Sequence, residues 1–378
     1  MGIYITNFNA CCNLGSTIDN IYKQAIQGNS NFKNLQNLLL NKKVRVACID
    51  TVLPTIDKDI YNTRCNQLIL QNLLLLQDEI NKLKSKYSEE NIAVVVATTN
   101  SGVEEYSKTQ NMHHSELGNP SQFIKDYLNL KNFHTTISTA CSSGIKAFSI
   151  ARNLLNTGIA QAVIVTGVDP ISKVPIFGFD ALEVLSELKT NPLSENYTGI
   201  NIGEAAATFI VEKDVPNGIE IKGIGETTDT YHATTPDPEG NEVIQAINIA
   251  LNEAKVQIED IDYINLHGTG TYANDLMEAN VINKIFGNNT PTSSTKPLTG
   301  HCLGAAASIE IALCCYLLNN FEGLLYPHLF DGDYNTCLPQ IKIVKRNEKY
   351  EKCQICMCNS FGFGGTNAII ILGKHNGQ

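Results

Sequence analysis

Short apolar runs rich in β-branched residues recur along this chain with helical segments between them: MGIYITNF, KVRVACID, IAVVVATT, AVIVTGVD, AAATFIVE, IEIKGIG, YINLHGTG and NAIIIL. Runs that are apolar at nearly every position suit strands buried on both faces, and strands alternating with helices build a mainly parallel sheet covered on each side. The expected class is therefore α/β. The clearest helical pattern covers Arg64 to Lys86, where Leu68, Leu70, Leu73, Leu74, Leu76, Ile80 and Leu83 make an apolar face and charge gathers towards the C-terminal end. That pattern describes buried scaffold better than an interaction surface.

A seam falls at Lys213-Asp214-Val215-Pro216-Asn217-Gly218, where a β run ends in charged, proline and glycine residues. It divides the chain into 1–213 and 214–378. Each part carries a strand that runs into a turn of small residues and then a helical segment, which fits a duplicated α/β architecture even though no repeat is visible in the letters. Two such halves meeting face to face would place their loops at one shared site.

Composition narrows the partners. At 43% hydrophobic and 17% charged residues the chain is neither disordered nor fibrous, and a formal net charge of −10 opposes a general affinity for nucleic acid or anionic membrane. An acidic partner must find a local basic patch, for which Arg64, Lys42 and Lys43 are available. The 12 cysteines include the adjacent pairs Cys11-Cys12 and Cys314-Cys315, which suit reduced core thiols and a reducing cytoplasm better than a disulfide framework. The first residues lack a basic segment followed by an apolar one, and AAASIEIALCCYLL is too short to span a membrane and carries Glu310. The start also fits a loose myristoylation pattern, but Ile3 and Ile5 alternate like a strand entering a core.

Four segments carry residues suited to chemistry: STACSSG around Cys141, HGTGT from His267, STKPLTGH from Ser294 to His301, and NSFGFGGTN from Asn359. Cys141 lies between small residues just ahead of IKAFSIARNLL, so its thiol is expected at a helix N-terminus, where the dipole and free N–H groups favour thiolate. A buried inert cysteine fits the same segment. His267 ends a strand-like run and meets glycines at once, at the strand end where open α/β sheets bind ligands, although a core histidine has the same signature. Glu310 interrupts an apolar helix and needs a partner, with Lys296 the candidate, unless it lies on an outer face. SFGFGGT lacks the GK[ST] of a phosphate-binding loop. Cys353, Cys356 and Cys358 have zinc-like spacings but no second pair of ligands, and Cys356 and Cys358 alternate as core-facing strand residues. His113-His114 is expected in a surface loop.

Taken together, TACSSG, HGTGT, STKPLTGHCLGAA and NSFGFGGTN resemble, in order and spacing, the motifs of the β-ketoacyl-acyl carrier protein synthases of the thiolase superfamily. The resemblance spans nearly the whole chain. It implies a thiolase-like αβαβα fold of two similar halves, the first carrying the nucleophile Cys141 and the second both catalytic histidines, His267 and His301. One cysteine with two histidines is the pattern of the elongating type, which condenses a carrier-bound acyl chain with malonyl-carrier protein. Initiating enzymes would have Asn where His301 stands. The resemblance further gives Lys296 and Glu310 supporting roles, places backbone oxyanion donors at Cys141 and Phe363, and makes Phe363 a gate, flexible between Gly362 and Gly364. It implies no metal and no cofactor, since phosphopantetheine arrives on an acidic acyl carrier protein, and either a homodimer or a heterodimer with a related synthase or chain-length factor. TRCNQLIL, GNPSQFI, GINIGEAAA, TPDPEG and PHLFDG are similar to segments of the compact synthases of aryl polyene clusters. General fatty-acid elongation is the alternative, and a noncatalytic chain-length factor the alternative from another class. Tyr272 departs from the family, where proline commonly follows HGTGT.

Overall fold

The computed structural model describes residues 2–39 and 42–374. Its strands are β1 (Ile3–Cys12), β2 (Lys33–Leu39), β3 (Lys42–Ala47), β4 (Ile92–Ala97), β5 (His134–Ile137), β6 (Ala162–Asp169) and β7 (Ile202–Gly203). They continue as β8 (Ala205–Lys213), β9 (Ile219–Thr228), β10 (Tyr263–Asn265), β11 (Thr292–Ser293), β12 (Ile355–Gly362) and β13 (Thr366–Lys374).

Ten strands form one sheet in the order β11-β10-β12-β13-β9-β1-β8-β6-β4-β5. Its middle is the short antiparallel pairing of β1 with β9, Tyr4 opposite Glu220 and Ile5 opposite Ile219. Outward from that junction, β1-β8-β6-β4-β5 and β9-β13-β12-β10-β11 repeat one scheme of two antiparallel and then two parallel pairings. The duplication that the letters hide is thus plain in the topology, and the seam after Lys213 lies in the connection from β8 to β9. The sheet is parallel towards its flanks, where helices connect the strands, and antiparallel through its middle. The turn from β12 into β13 shows why: Gly364 and Gly365 at φ of +86° and +77° reverse the chain within a few residues, and so short a connection joins only antiparallel neighbours. KVRVACID does not join this sheet; its β3 pairs with β2 and β7 in a separate three-stranded one.

Alternate residues of the strands face different layers. Ala93, Val95 and Ala97 of β4 and Ile370 and Leu372 of β13 pack inward on the helices Ser143–Asn156 and Ala306–Asn319. Ile92, Val94 and Val96 pack on the other side against Leu68, Ile69 and Phe123. In the second half Ile369 and Ile371 meet Val243, Ile247 and Met277. Helix, sheet, helix, sheet, helix is therefore the layering, as the thiolase-like expectation requires.

Two local expectations change. The pattern from Arg64 to Lys86 is two helices, Arg64–Leu75 and Gln77–Tyr87, with a bend at Leu76 (φ −100°, ψ 13°). The Leu76 and Ile80 N–H groups still donate to Asn72 O and Leu76 O, so the hydrogen bonding passes through a kink, and Leu74 is exposed. His114 is not on a surface loop: it is buried in the helix Met112–Ser115, with Nδ1 3.0 Å from Thr109 Oγ1 and Nε2 2.8 Å from Asp59 O.

Candidate active site

Cys141 sits in a tight turn between β5 and the helix Ser143–Asn156. Ala140 ahead of it has φ +53°, a conformation that costs a non-glycine residue of order 1–3 kcal/mol and persists only when the surroundings impose it. The surroundings are the two serines of the motif. Ser143 Oγ accepts from Thr139 N–H and donates to Ala140 O, and Ser142 Oγ donates to Thr139 O and lies 2.9 Å from Thr366 Oγ1. From β12, Ser360 Oγ donates to Cys141 O at 2.8 Å.

His267 lies just past the C-terminal end of β10, as expected from the sequence. Its N–H and that of Gly268 each donate to the carboxylate of Glu278 at 2.8 Å, and Asn359 Nδ2 adds a bond of 3.1 Å to the same group. Glu278 was not foreseen; its signal is only an acidic residue three positions after Asp275 on the helix Tyr272–Phe286, and Asp275 accepts from Leu193 N–H. His301 follows Gly300, whose φ is +70° and whose missing Cβ would lie 2.9 Å from the Gly203 backbone, so only glycine fits there.

These pieces meet in one place. Cys141 Sγ is 3.0 Å from His301 Nε2, the two imidazoles stand edge to face at 5.4 Å, and the sulfur and one nitrogen of each histidine lie within 4.8 Å of one another. Lys296 Nζ is 3.4 Å from His267 Nδ1 and 2.7 Å from Glu310 Oε1, in an ion pair that is 99% buried on both sides. The partner expected for Glu310 is the one found. Because His267 Nδ1 faces an amine, its Nε2 is left to face the cleft. Three such donors could also ligate a zinc-type ion, but the Lys296 amine beside His267 disfavours a second cation.

Burial sets the protonation states. It pushes the Cys141 thiol up to about 12, outweighing the pull of Lys296 and of its own backbone N–H. This corrects the expectation of a resting thiolate: in a dry site desolvation exceeds the stabilisation that a helix N-terminus supplies. His267 is held well below the usual imidazole range by burial, then by Lys296 and His301, and His301 by burial and Lys296. Glu310 is lifted to about 7 by burial, against the opposing charge of Lys296.

A cleft of about 900 Å³, including its open mouth, reaches these residues and is walled by Phe179, Phe361 and Phe363. Phe363 is 37% exposed and stacks on Phe179 at 5.6 Å, whose ring meets His301 edge-on at 6.2 Å. Gly364 has a φ of +86°, and Gly362 permits a close approach, since its missing Cβ would lie 2.9 Å from Thr139 O. Tyr272 opens its helix at the cleft rim and packs on Tyr197 at 5.6 Å. Cys356 and Cys358 lie in β12 and Cys353 just ahead of it, all three buried in the core, with Cys358 Sγ 3.3 Å from Cys314 Sγ. Of the basic candidates, Arg64 is engaged with buried Glu204 and Lys42 with Asp180. Among the described residues no helix is long and apolar enough to cross a membrane.

A duplicated sheet that brings a cysteine from one half to two histidines of the other defines the thiolase-like class of protein. Within it, the chain belongs to the β-ketoacyl synthase family: residues 75–216 match the family's N-terminal domain and 219–328 its C-terminal domain. A 3-oxoacyl-[acyl-carrier-protein] synthase 2 of Coxiella burnetii is 33% identical over 65% of this chain, and nodulation protein E of Rhizobium leguminosarum bv. trifolii is 32% identical over 65%. The matched region spans 63% of each relative's length. A solved chain from the complex of the ketosynthase ApeO with its chain length factor ApeC, from Xenorhabdus doucetiae, is 36% identical. It superposes with a TM-score of 0.93 over 99% of this chain and 98% of its own.

Proposed function

We propose that this protein is an elongating β-ketoacyl-acyl carrier protein synthase whose halves, 1–213 and 214–378, supply Cys141 and the two histidines respectively. The observation that carries this reading is the set of Cys141, His267 and His301 at the base of one aromatic-walled cleft. Cys141 takes the acyl group from a carrier thioester: a new C–S bond forms to Sγ, the bond to the carrier sulfur breaks, and the Sγ proton passes by way of His301 Nε2 to that sulfur, which leaves as the carrier thiol. Malonyl-carrier protein then loses CO2, and the electron pair left behind forms an enolate. Neutral His267 has an N–H at Nε2 to offer its oxygen, and His301 offers one in the tautomer that carries its proton on Nε2. The enolate carbon bonds to the acyl carbonyl, the bond to Sγ breaks, and one proton restores the thiol. Backbone N–H groups of Cys141 and Phe363 are assigned to the developing oxyanion, and Lys296 with Glu310 orients His267. The scheme draws on no metal or cofactor of the protein's own.

Intact mass measurement after incubation with an acyl-carrier thioester tests the first step. The expected result is one acyl group, absent in Cys141→Ala; loading of that variant would overturn the assignment. His267→Ala should still load and His301→Ala should load more slowly, and both should release CO2 from malonyl-carrier protein about 100-fold more slowly or worse, as expected for a lost oxyanion donor. Normal release by both would remove their role.

For the substrate we propose a conjugated, aryl polyene-type acyl chain, supported by the similarity to the ApeO–ApeC complex and by three phenylalanines on the cleft wall. Flat rings favour a rigid, planar chain, whereas a bent saturated one must give up more freedom to enter. In a competition at equal length, higher kcat/KM for the saturated chain would leave ordinary fatty-acid elongation as the function. The same similarity supports a heterodimer with a chain-length factor.

A further inference from the structure

His301 lacks the side-chain partner that His267 has in Lys296. Its Nε2 faces Cys141 Sγ, and its Nδ1 is shut off from solvent with no hydrogen-bond partner among the described residues. The aim of this ring therefore depends on how its backbone is held. On the upstream side the first half holds it: His301 N–H donates to Asn201 O at 2.7 Å, and His301 O accepts from Gly203 N–H at 3.0 Å. Downstream the chain turns through Leu303 at φ +52°, a left-handed conformation that a non-glycine residue keeps only where its surroundings impose it.

Beside that turn stands an acid that the condensation scheme does not use. Asp169 ends β6, is fully buried, and projects from the same face of the strand as Gly167, which meets Ser308 of the central helix layer. Its carboxylate accepts from five neutral donors. Four belong to the segment just past β4: Thr98 Oγ1 at 2.7 Å, Thr99 N–H at 3.0 Å, Thr99 Oγ1 at 2.8 Å and Asn100 N–H at 2.9 Å. The fifth, Gly304 N–H at 2.6 Å, comes from the second half, three residues after His301. Gly304 lies in the short helical turn Leu303–Ala305 that leads into the helix Ala306–Asn319, where unpaired N–H groups and the dipole favour an anion. A Cβ on Gly304 would lie 2.7 Å from Asp169 Oδ2, so the contact is close. Burial pushes the Asp169 carboxyl up, while its bonds from Thr98, Thr99 and Asn100 pull it down. Its charge also reaches Cys141, whose thiol it helps to raise.

We propose that Asp169 is the positioning residue for His301: by joining Thr98, Thr99 and Asn100 of one half to Gly304 of the other, it fixes the chain that follows His301 and so aims Nε2 at Cys141 Sγ. The proposal rests on the condensing-enzyme reading above. His301 is then held from both sides by the half that carries Cys141, which is the half its ring must meet.

Rates of acyl loading on the full chain, followed by intact mass, test this as a double-mutant cycle. Asp169→Asn keeps the shape but sets an NH2 against one of the N–H donors, and should slow loading about tenfold. In a His267→Ala background the same substitution should again cost about tenfold, whereas in His301→Ala it should cost less than about twofold, because the ring it aims is gone. Equal losses in every background would overturn the proposal, since a merely structural acid slows each variant alike. Thr99→Val removes one donor and keeps the side-chain shape, so it serves if Asp169→Asn fails to fold; the same pattern at smaller size supports the proposal, and equal losses overturn it. A readout without substrate separates the proposal from the catalytic reading. In nitrogen NMR of histidine-labelled protein, the His301 ring signals, identified by their loss in His301→Ala, should move in Asp169→Asn by more than those of His267. Unmoved His301 signals would overturn the positioning role even if condensation is observed, and moved signals support it even if no acyl group loads.

Discussion

Cys141 and His301 stand 3.0 Å apart and are both neutral at rest, so the site works by moving one proton on demand. That division places a premium on orientation, and the residue that sets it for His267 is Glu278. Its buried carboxylate accepts from two consecutive backbone N–H groups, and a lost acceptor leaves each buried donor at a cost of roughly 1–3 kcal/mol. In Glu278→Gln one donor would face an amide NH2 instead of an oxygen. The expected outcome is a lower Tm, with CO2 release from malonyl-carrier protein falling more than acyl loading of Cys141, because loading does not use His267. Equal effects on the two steps would make Glu278 merely structural.

Between elements, the decisive contact is the approach of the helices Ser143–Asn156 and Ala306–Asn319 beneath the site. A Cβ on Gly167 of β6 would meet Ser308 Oγ at 2.0 Å and Cβ at 2.5 Å, whereas one on Gly144 would meet the Ser308 backbone N at 2.8 Å. Overpacking of this kind commonly costs about 1–3 kcal/mol. Gly167→Ala should therefore lower stability in urea unfolding and be rescued by Ser308→Gly, since its clash is with a side chain. Gly144→Ala should be rescued only in part, because backbone cannot be deleted; full rescue of both would refute this packing. The β12–β13 turn makes a different demand. Phe363 is part-exposed and packs on Phe179, so Phe363→Ala should change Tm little and acyl loading strongly, with the change depending on chain length. Loading rates that match the unmodified protein at every length would remove the gate.

At the scale of the molecule, the two halves are held together by polar contacts as well as by the central helix layer. His328 is one: its Nδ1 accepts from Ser294 N–H at 3.1 Å and its Nε2 lies 2.9 Å from Pro192 O, so second-half strand and first-half loop share a neutral imidazole. Burial holds it down to about 4. A histidine depressed from about 6.5 binds its proton more readily in the unfolded chain, so its contribution is present above pH 6.5 and is lost as pH falls towards and through 4. At about 1.36 kcal/mol per pKa unit the loss is on the order of 3 kcal/mol. Denaturant unfolding between pH 7 and 4 should show a shallower acid decline for His328→Gln than for the unmodified protein; parallel curves would exclude His328 as its source. The comparison removes the opposite trend from Asp275 and Glu310, which burial raises to about 7 and whose stabilising effect fades as pH rises.

Local pattern was enough to place β1, β3, β4, β6, β8, β9, β10 and β13, to put Cys141 ahead of a helix and His267 at a strand end, and to pair Glu310 with Lys296. Each of these depends on periodicity, on glycine at a turn or on a charge in an apolar run, all of which are properties of neighbours in the chain. Glu278, Asp275 and Phe179 escaped it because their roles come from residues distant in sequence that fold onto them. So did the kink at Leu76, which leaves the apolar period intact, and the burial of His114. The duplication and the antiparallel middle of the sheet likewise belong to strand order, which similar letters do not encode. The protonation of Cys141 went against the local signal for the same reason. A helix N-terminus is visible in a sequence, but the desolvation that outweighs it exists only once both halves have closed over the thiol.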